Sequence, residues 1–256
     1  MKSLVSKLML QIRLSKTLGL RHYASYRLNT NHVVPLRINE KEIWVRKGTP
    51  DLLVAVSCLS GEFHMLNYLF PKDYSGIIVD AGGYIGTAAI AFSEMYPKAT
   101  VLTIEPSTTN FSILEKNIAP YPNIKAIHGA LTASDEKKIH LNERPTGEWG
   151  FTVVKNAMDS VETSKVEEVP AYRLSSLGVA MNDIGILKLD IEGGEHAILT
   201  NDQMDLSIIP AILIELHDRI VDGCSEAFFS FSENRIVLKD KGEKFLSIKK
   251  DISSRV

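Results

Sequence analysis

Cysteine is scarce in this chain of 256 residues: only Cys58 and Cys224 occur, far apart and outside any Cys-x-x-Cys or Cys/His cluster. That removes a disulfide framework and a zinc site from the expected architecture and suggests a reducing compartment, read here as cytoplasmic. Long apolar runs are missing too, since none approaches the roughly 20 residues that a membrane-spanning helix requires. Acids are absent from residues 1–39, which carry seven Lys or Arg and leave the rest of the chain at −9 within an overall charge of −2. A basic arm on an acidic body is not the broad positive face of a nucleic-acid protein, so no nucleic-acid partner is expected. Nor is the arm expected to be a signal peptide, because Lys7 and Arg13 interrupt its apolar stretch and no small-residue cleavage site follows.

What is present, 45% hydrophobic residues in a chain of this length, suits one large α/β domain with a short appendage. The expected division is an extension over residues 1–47 and a main domain over 48–256. Leu4, Val5, Leu8, Met9 and Ile12 recur at helical spacing among Lys and Arg, which predicts a basic amphipathic helix. Packing against its own domain is its favoured role; peripheral membrane contact through residues 1–30, or a lid over a partner or substrate, are the alternatives. A short hairpin is expected at "LRINEKEIWVR". After it, Thr49 reads as an N-cap, Pro50 as the first helical residue and Asp51 as an acid near the positive helix end.

From residue 76 onward, "GIIVD", "ATVLTIE", "IKAIHG", "IGILKLD" and "AILIELH" alternate with helical patterns near 86–96, 107–118, 194–200 and 223–231. Such continuous apolar strands are buried on both faces, as in a parallel sheet covered by helices. Residues 130–183 break the rhythm with short strand-like pieces, read as an insertion between the third and fourth strands. The tail "RIVLKDKGEKFLSI" turns around Asp240, Lys241 and Gly242 as a hairpin. The expected fold is α/β: a doubly wound, mostly parallel, Rossmann-like sheet of seven strands with an antiparallel edge hairpin and an N-terminal helical and hairpin extension.

In open α/β sheets, ligands bind beyond the carboxyl ends of the strands. Four of these strands end on an acid, Asp80, Glu105, Asp190 and Glu215, with Glu192, Glu195 and His217 close behind. Like charges gathered at one rim repel unless a cation, a metal or a hydroxyl-rich ligand offsets them. "VDAGGYIG" is a weak dinucleotide fingerprint, because Ala81 takes the first glycine slot and Asp80 precedes it. S-adenosylmethionine is the better candidate, carrying ammonium and sulfonium charges and no phosphate. Gly82 and Gly83 then clear the loop, Gly86 lets the helix start close to the strand, and Asp80 anchors the site electrostatically. Glu105 can accept two ribose hydroxyls, a role it would serve with either cofactor. Ser107 reads as a helix cap. His128 follows the third strand, where an adenine ring would sit.

Read in order, "KGTPDLLV", "VDAGGYIGTAAI", "TIEPS", "HGAL", "LKLDIEGGEHAIL" and "PAILIELHDR" make the chain resemble the FkbM-type methyltransferase family over roughly residues 45–232. The resemblance implies the class I methyltransferase fold, S-adenosylmethionine as cofactor and O-methylation of a hydroxyl, often on a sugar or glycan. It also implies that Asp80, Gly82 and Gly86 form the methionine-side loop, that Glu105 is the ribose ligand, and that Asp190, Glu192 and Glu195 occupy the acidic motif of strand four. Two departures stand out: Gly83-Tyr84 replaces Ala-Asn, and Ser175 stands where an Asp is common.

The expected function is therefore an S-adenosylmethionine-dependent O-methyltransferase acting on a sugar, glycan or other small-molecule acceptor. Asp190 is the first candidate for the general base and His217 the second, with cofactor ligation as the other role for Asp190. Transfer without a metal ranks ahead of a divalent ion held by Asp190, Glu192 and Glu215. Glu195 is expected to face the first turn of the following helix. Trp149 and Phe151 are candidates for stacking on a sugar face. The alternative is a cofactor-binding scaffold whose chemistry has lapsed and which acts through a protein or membrane partner; RNA methylation ranks third.

Overall fold

The computed structural model describes residues 14–15, 17–144, 150–154, 164–202, 204–240 and 242–252. The chain divides into two compact units, Met1–Phe63 and His64–Val256.

In the first unit, the antiparallel hairpin β1 (Val33–Ile38) and β2 (Lys41–Arg46) follows helix α1 (Leu20–Leu28) and precedes helix α2 (Asp51–Leu59). Asn39 and Glu40 both take positive φ, the geometry of a two-residue turn that suits strand twist. Alternation buries Val34, Leu36, Ile38, Ile43 and Val45 against Leu52, Ala55 and Val56 of α2. The cap of α2 differs from expectation. Pro50 is the N-cap, while the Thr49 hydroxyl donates to the Arg46 carbonyl at 2.9 Å and accepts from the Asp51 amide at 3.2 Å. Asp51 is fully buried and gripped by the Arg46 guanidinium through two bonds of 2.9 Å, so its partner is a cation and not the open helix end. The amphipathic pattern over Leu4–Ile12 lies outside the described residues.

The second unit is built on a seven-stranded sheet in the order β12-β13-β11-β10-β3-β4-β5. These strands are β3 (Ile77–Ala81), β4 (Thr100–Glu105), β5 (Ile124–His128), β10 (Ile184–Leu189), β11 (Ala211–Glu215), β12 (Arg235–Lys239) and β13 (Lys244–Lys249). Only β13 runs antiparallel, slotted between β11 and β12, so the tail hairpin closes one edge as expected. Crossovers run through α3 (Thr87–Met95), α4 (Thr108–Ile118), α5 (Glu195–Leu199) and α6 (Cys224–Phe231), each within about a residue of the helix read from the sequence. Strands β3, β4 and β5 wind outward to one side, and the chain then returns to β10 beside β3. The strand order therefore reverses between β3 and β10, and a doubly wound sheet opens its ligand crevice at such a reversal. This is the doubly wound, mostly parallel, seven-stranded arrangement expected from the sequence.

The expected insertion is a separate small sheet, ordered β6-β9-β7-β8, from β6 (Ala130–Leu131), β7 (Lys138–Glu143), β8 (Phe151–Thr152) and β9 (Ser164–Tyr172). Ala130, Leu141 and Val169 form its own core, with Phe151 packed against them. Polar contacts tie it to the elements around the main sheet: Glu167 accepts the Thr108 amide at 2.9 Å at the start of α4, and the Thr152 hydroxyl donates to the Glu192 carbonyl at 2.6 Å in the loop after β10.

Candidate active site

The turn after β3 is shaped by close approach. Gly82 has a φ of +81°, and a Cβ there would lie 1.8 Å from the backbone oxygen of Asp190, so the ends of β3 and β10 meet with no room for a side chain. A Cβ on Gly83 would come within 2.3 Å of the Thr103 hydroxyl, and one on Gly86, at φ +84°, within 2.9 Å of Ile118. Tyr84 also takes a positive φ, which aims its amide at Glu105. Asp80 sits beneath this turn, fully buried. It accepts from the Thr103 hydroxyl at 2.9 Å and pairs with Lys188 at 3.1 Å. Lys188 also donates to the Gly82 carbonyl at 3.1 Å, tying the turn to β10. Asp80 is thus a buried counter-ion that shapes the turn from below. Asp80→Ala takes from the Lys188 ammonium its buried counter-ion and leaves it the more exposed Asp190 at 3.5 Å, and we expect a loss of about 3 kcal/mol in chemical denaturation.

On the β4 side, Glu105 is buried and accepts the amides of Tyr84 at 2.8 Å and Ser107 at 3.0 Å, and the Asn110 side chain at 3.2 Å. Burial pushes its carboxyl up to about 7 against those three donors. Three donors leave capacity on a carboxylate that can accept about four bonds. Ser107 caps α4 through the Asn110 amide, as expected. His128, at the end of β5, stacks on Phe111 with ring centroids 4.7 Å apart and lies 3.0 Å from the Pro106 carbonyl.

On the other side of the reversal, β10 ends at Asp190, whose side chain is 32% exposed and so open to a ligand. Lys188 lies 3.5 Å away, and the Nε2 of His217 4.0 Å away. Burial raises the Asp190 carboxyl, but Lys188, His217 and Lys244 outweigh it and hold the group below the usual range. The Glu192 carboxylate stands 3.7 Å from that same Nε2 and 3.6 Å from Arg219; burial pushes it up. Glu195 opens α5 as the acid of its first turn, as expected. Fully buried, it takes the amides of Ile191 and Gly193 at 2.8 Å each and lies 3.0 Å from Nδ1 of His217. Glu215 pairs with Lys244 across the strands at 3.5 Å.

The glycine turn thus lies at the strand reversal, with acids at the ends of the strands on either side of it. A protein-family model described as the methyltransferase FkbM domain matches residues 80–245, from Asp80 through the whole acidic rim. The chain belongs to the FkbM methyltransferase family. A curated relative, Methyltransferase 1 of Beauveria bassiana (strain ARSEF 2860), is 29% identical over 194 residues, covering 68% of this chain and 73% of that one. Among solved structures, an FkbM methyltransferase from Methylobacillus flagellatus KT aligns at 16% identity and a TM-score of 0.46, covering 68% of this chain but only 43% of its own. The TYW2 protein of M. jannaschii, solved in complex with AdoMet, aligns at 10% identity and a TM-score of 0.44, covering 86% and 85%.

Within this FkbM domain, the strand-end acids read from the sequence share one rim, and four groups missed there complete it. Lys188, Thr103, Asn110 and Arg219 are the polar partners of those acids. Lys188 had a signal: it is the lone charge in the otherwise apolar strand "IGILKL", and such a charge needs an opposite one nearby. Phe151 packs inside the insertion, and Trp149 lies outside the described residues. Among the described residues, no group of three or more His, Cys, Asp or Glu is placed to hold a metal ion, and no helix is long and apolar enough to cross a membrane.

The ring of His217, 1% exposed, is penalised by burial, yet Glu195, Glu192 and Asp190 raise its pKa to about 9. Because that lies above the unfolded value of about 6.5, its stabilisation is complete below pH 6.5 and is lost as pH rises through 9. A swing on the order of 3 kcal/mol is expected. Thermal melts should show Tm falling between pH 7 and 9.5, and His217→Gln should flatten that slope.

Proposed function

We propose that this FkbM domain is an S-adenosylmethionine-dependent O-methyltransferase whose acceptor is a hydroxyl of a sugar, glycan or other small molecule. The observation that carries this reading is Asp190: a solvent-reaching carboxylate at the strand reversal, its backbone against Gly82 and its charge maintained by Lys188 and His217.

The residues present suit the cofactor. An acidic rim favours a cationic ligand over a pyrophosphate, and Glu105 retains capacity for hydroxyl donors. Glu105 would hold the ribose, the Gly82–Gly86 turn the methionine side, and His128 with Phe111 the base end. When bound, S-adenosylmethionine supplies an activated methyl group on a sulfonium. Methyl transfer disperses charge, so much of the acceleration comes from holding the acceptor oxygen in line. An alcohol still needs its proton accepted, and Asp190 has the oxygen to do it. His217 already carries its proton at neutral pH and is assigned no such role.

Labelled methyl transfer from S-adenosylmethionine into glycan and nucleotide-sugar extracts, read alongside calorimetry, tests this. Cofactor binding with a labelled product is expected; neither binding nor label in any extract overturns it. A further consequence concerns pH. Only the Glu105 carboxylate accepts on all its oxygens, so cofactor affinity should rise as pH passes through about 7. Calorimetric titrations at pH 6 and 8 check it.

A further inference from the structure

Three acids of one loop converge on a single ring. His217 follows the end of β11 and is closed to solvent. Its Nδ1 edge meets Glu195, a carboxylate fixed in turn by the amides of Ile191 and Gly193. Its Nε2 edge faces Glu192 at 3.7 Å and Asp190 at 4.0 Å. A neutral imidazole has one N–H to offer, whereas an imidazolium donates from both edges. The surrounding charges are Lys188 on β10, Glu215 at the end of β11, Lys244 on β13, Arg219 beside Glu192, and the buried Arg144, which feels the charges of Glu192 and Arg219. Without the ring, Asp190 would share its rim with Glu192 and Glu215 and would keep Lys188 as its nearest cation.

We infer that Glu195 and His217 form a positioning pair for Asp190: Glu195 fixes the imidazolium, and the imidazolium joins the nearer Lys188 in favouring the ionised Asp190 carboxylate from the opposite side. The catalytic consequence rests on Asp190 being the base; the charge coupling itself does not. Neither Glu195 nor His217 needs to touch cofactor or acceptor, since Glu195 is fully buried and the ring acts through Asp190.

The experiment follows two groups in the full-length protein by NMR: the His217 ring nitrogens, with 15N-labelled histidine, and the Asp190 side-chain carboxyl carbon, with 13C-labelled aspartate. In the unmodified protein His217 should remain doubly protonated at pH 7.5, and Glu195→Gln should bring its titration down. In His217→Gln the Asp190 titration should move up by about one pH unit or more, as expected for removing a cation some 4 Å away. The double variant Glu195→Gln/His217→Gln removes both buried charges, keeps the fold accessible if the single variant does not, and should show the same Asp190 movement. On the acid limb of the pH–rate profile, His217→Gln should lose about tenfold in kcat, the rate counterpart of one pH unit, with KM for S-adenosylmethionine within about twofold. A merely structural role would lower kcat evenly at every pH.

A neutral His217 ring at pH 7.5, or an Asp190 titration unmoved in both variants, overturns the inference. Should the unmodified protein methylate no acceptor, the proposed activity fails, and the two titrations still decide whether the pair governs Asp190.

Discussion

Replacing Asp190 with asparagine is expected to lower turnover by about 10²–10⁴-fold, the range over which a positioned general base acts. The amide keeps the size and the accepting oxygen of the carboxylate but cannot take a proton from an alcohol. The fold should hold, because Lys188 retains Asp80 at 3.1 Å and the Gly82 carbonyl at 3.1 Å after losing the charge of Asp190. Affinity for S-adenosylmethionine, followed by calorimetry, should therefore stay close to that of the unmodified protein while single-turnover transfer collapses. A parallel loss of binding and transfer would make Asp190 a cofactor ligand and sink its assignment as base.

Gly82→Ala should have the largest structural effect of any single methyl added to this site. Its Cβ would lie 1.8 Å from the Asp190 carbonyl, inside any tolerable contact, and its φ of +81° is disfavoured for alanine as well. Backbone must move to relieve the first problem, and that backbone carries Asp190. We expect about 3 kcal/mol or more of lost stability, with turnover down at least about 10²-fold from misplacement alone. Gly178→Ala is the control, since its φ of +73° is similar but nothing lies within 4 Å of the added carbon. That variant should lose only about 1–2 kcal/mol. Equal melting temperatures for the two would remove the close approach of β3 and β10 as the feature that shapes the turn.

The sheet could be read in advance because each strand is an apolar run buried on both faces and each crossover helix has its own period. Boundaries such as 107–118 against the observed Thr108–Ile118 follow from capping residues that lie nearby in the chain. The acidic rim was readable for a related reason, since strand ends are visible and their acids with them. Which way those acids face was not. Asp80 is matched by Thr103, 23 residues later, and Gly82 by Lys188, 106 residues later, and no local pattern records such pairings. Glu195 stands in the first turn of α5 as its position suggested, but its further partners, the amides of Ile191 and Gly193 and the His217 ring, follow from the folded loop and left no mark in the local pattern. His217 was a candidate base because it follows a strand end bordering the cleft, and that position does not reveal the convergence of Glu195, Glu192 and Asp190 that raises the pKa of its ring to about 9.

The small sheet between β5 and β10 is fastened at Thr108 on one flank of the glycine turn and at Glu192 on the other. Its β6 residue Leu131 packs into the core of the main sheet, whereas Leu141 and Val169 fill a core of their own, so the β7–β9 side is the part whose changes should spare the strands beneath. Redrafting that side is expected to leave the glycine turn and its acids in place, whereas a change at Leu131 would reach them through the shared core.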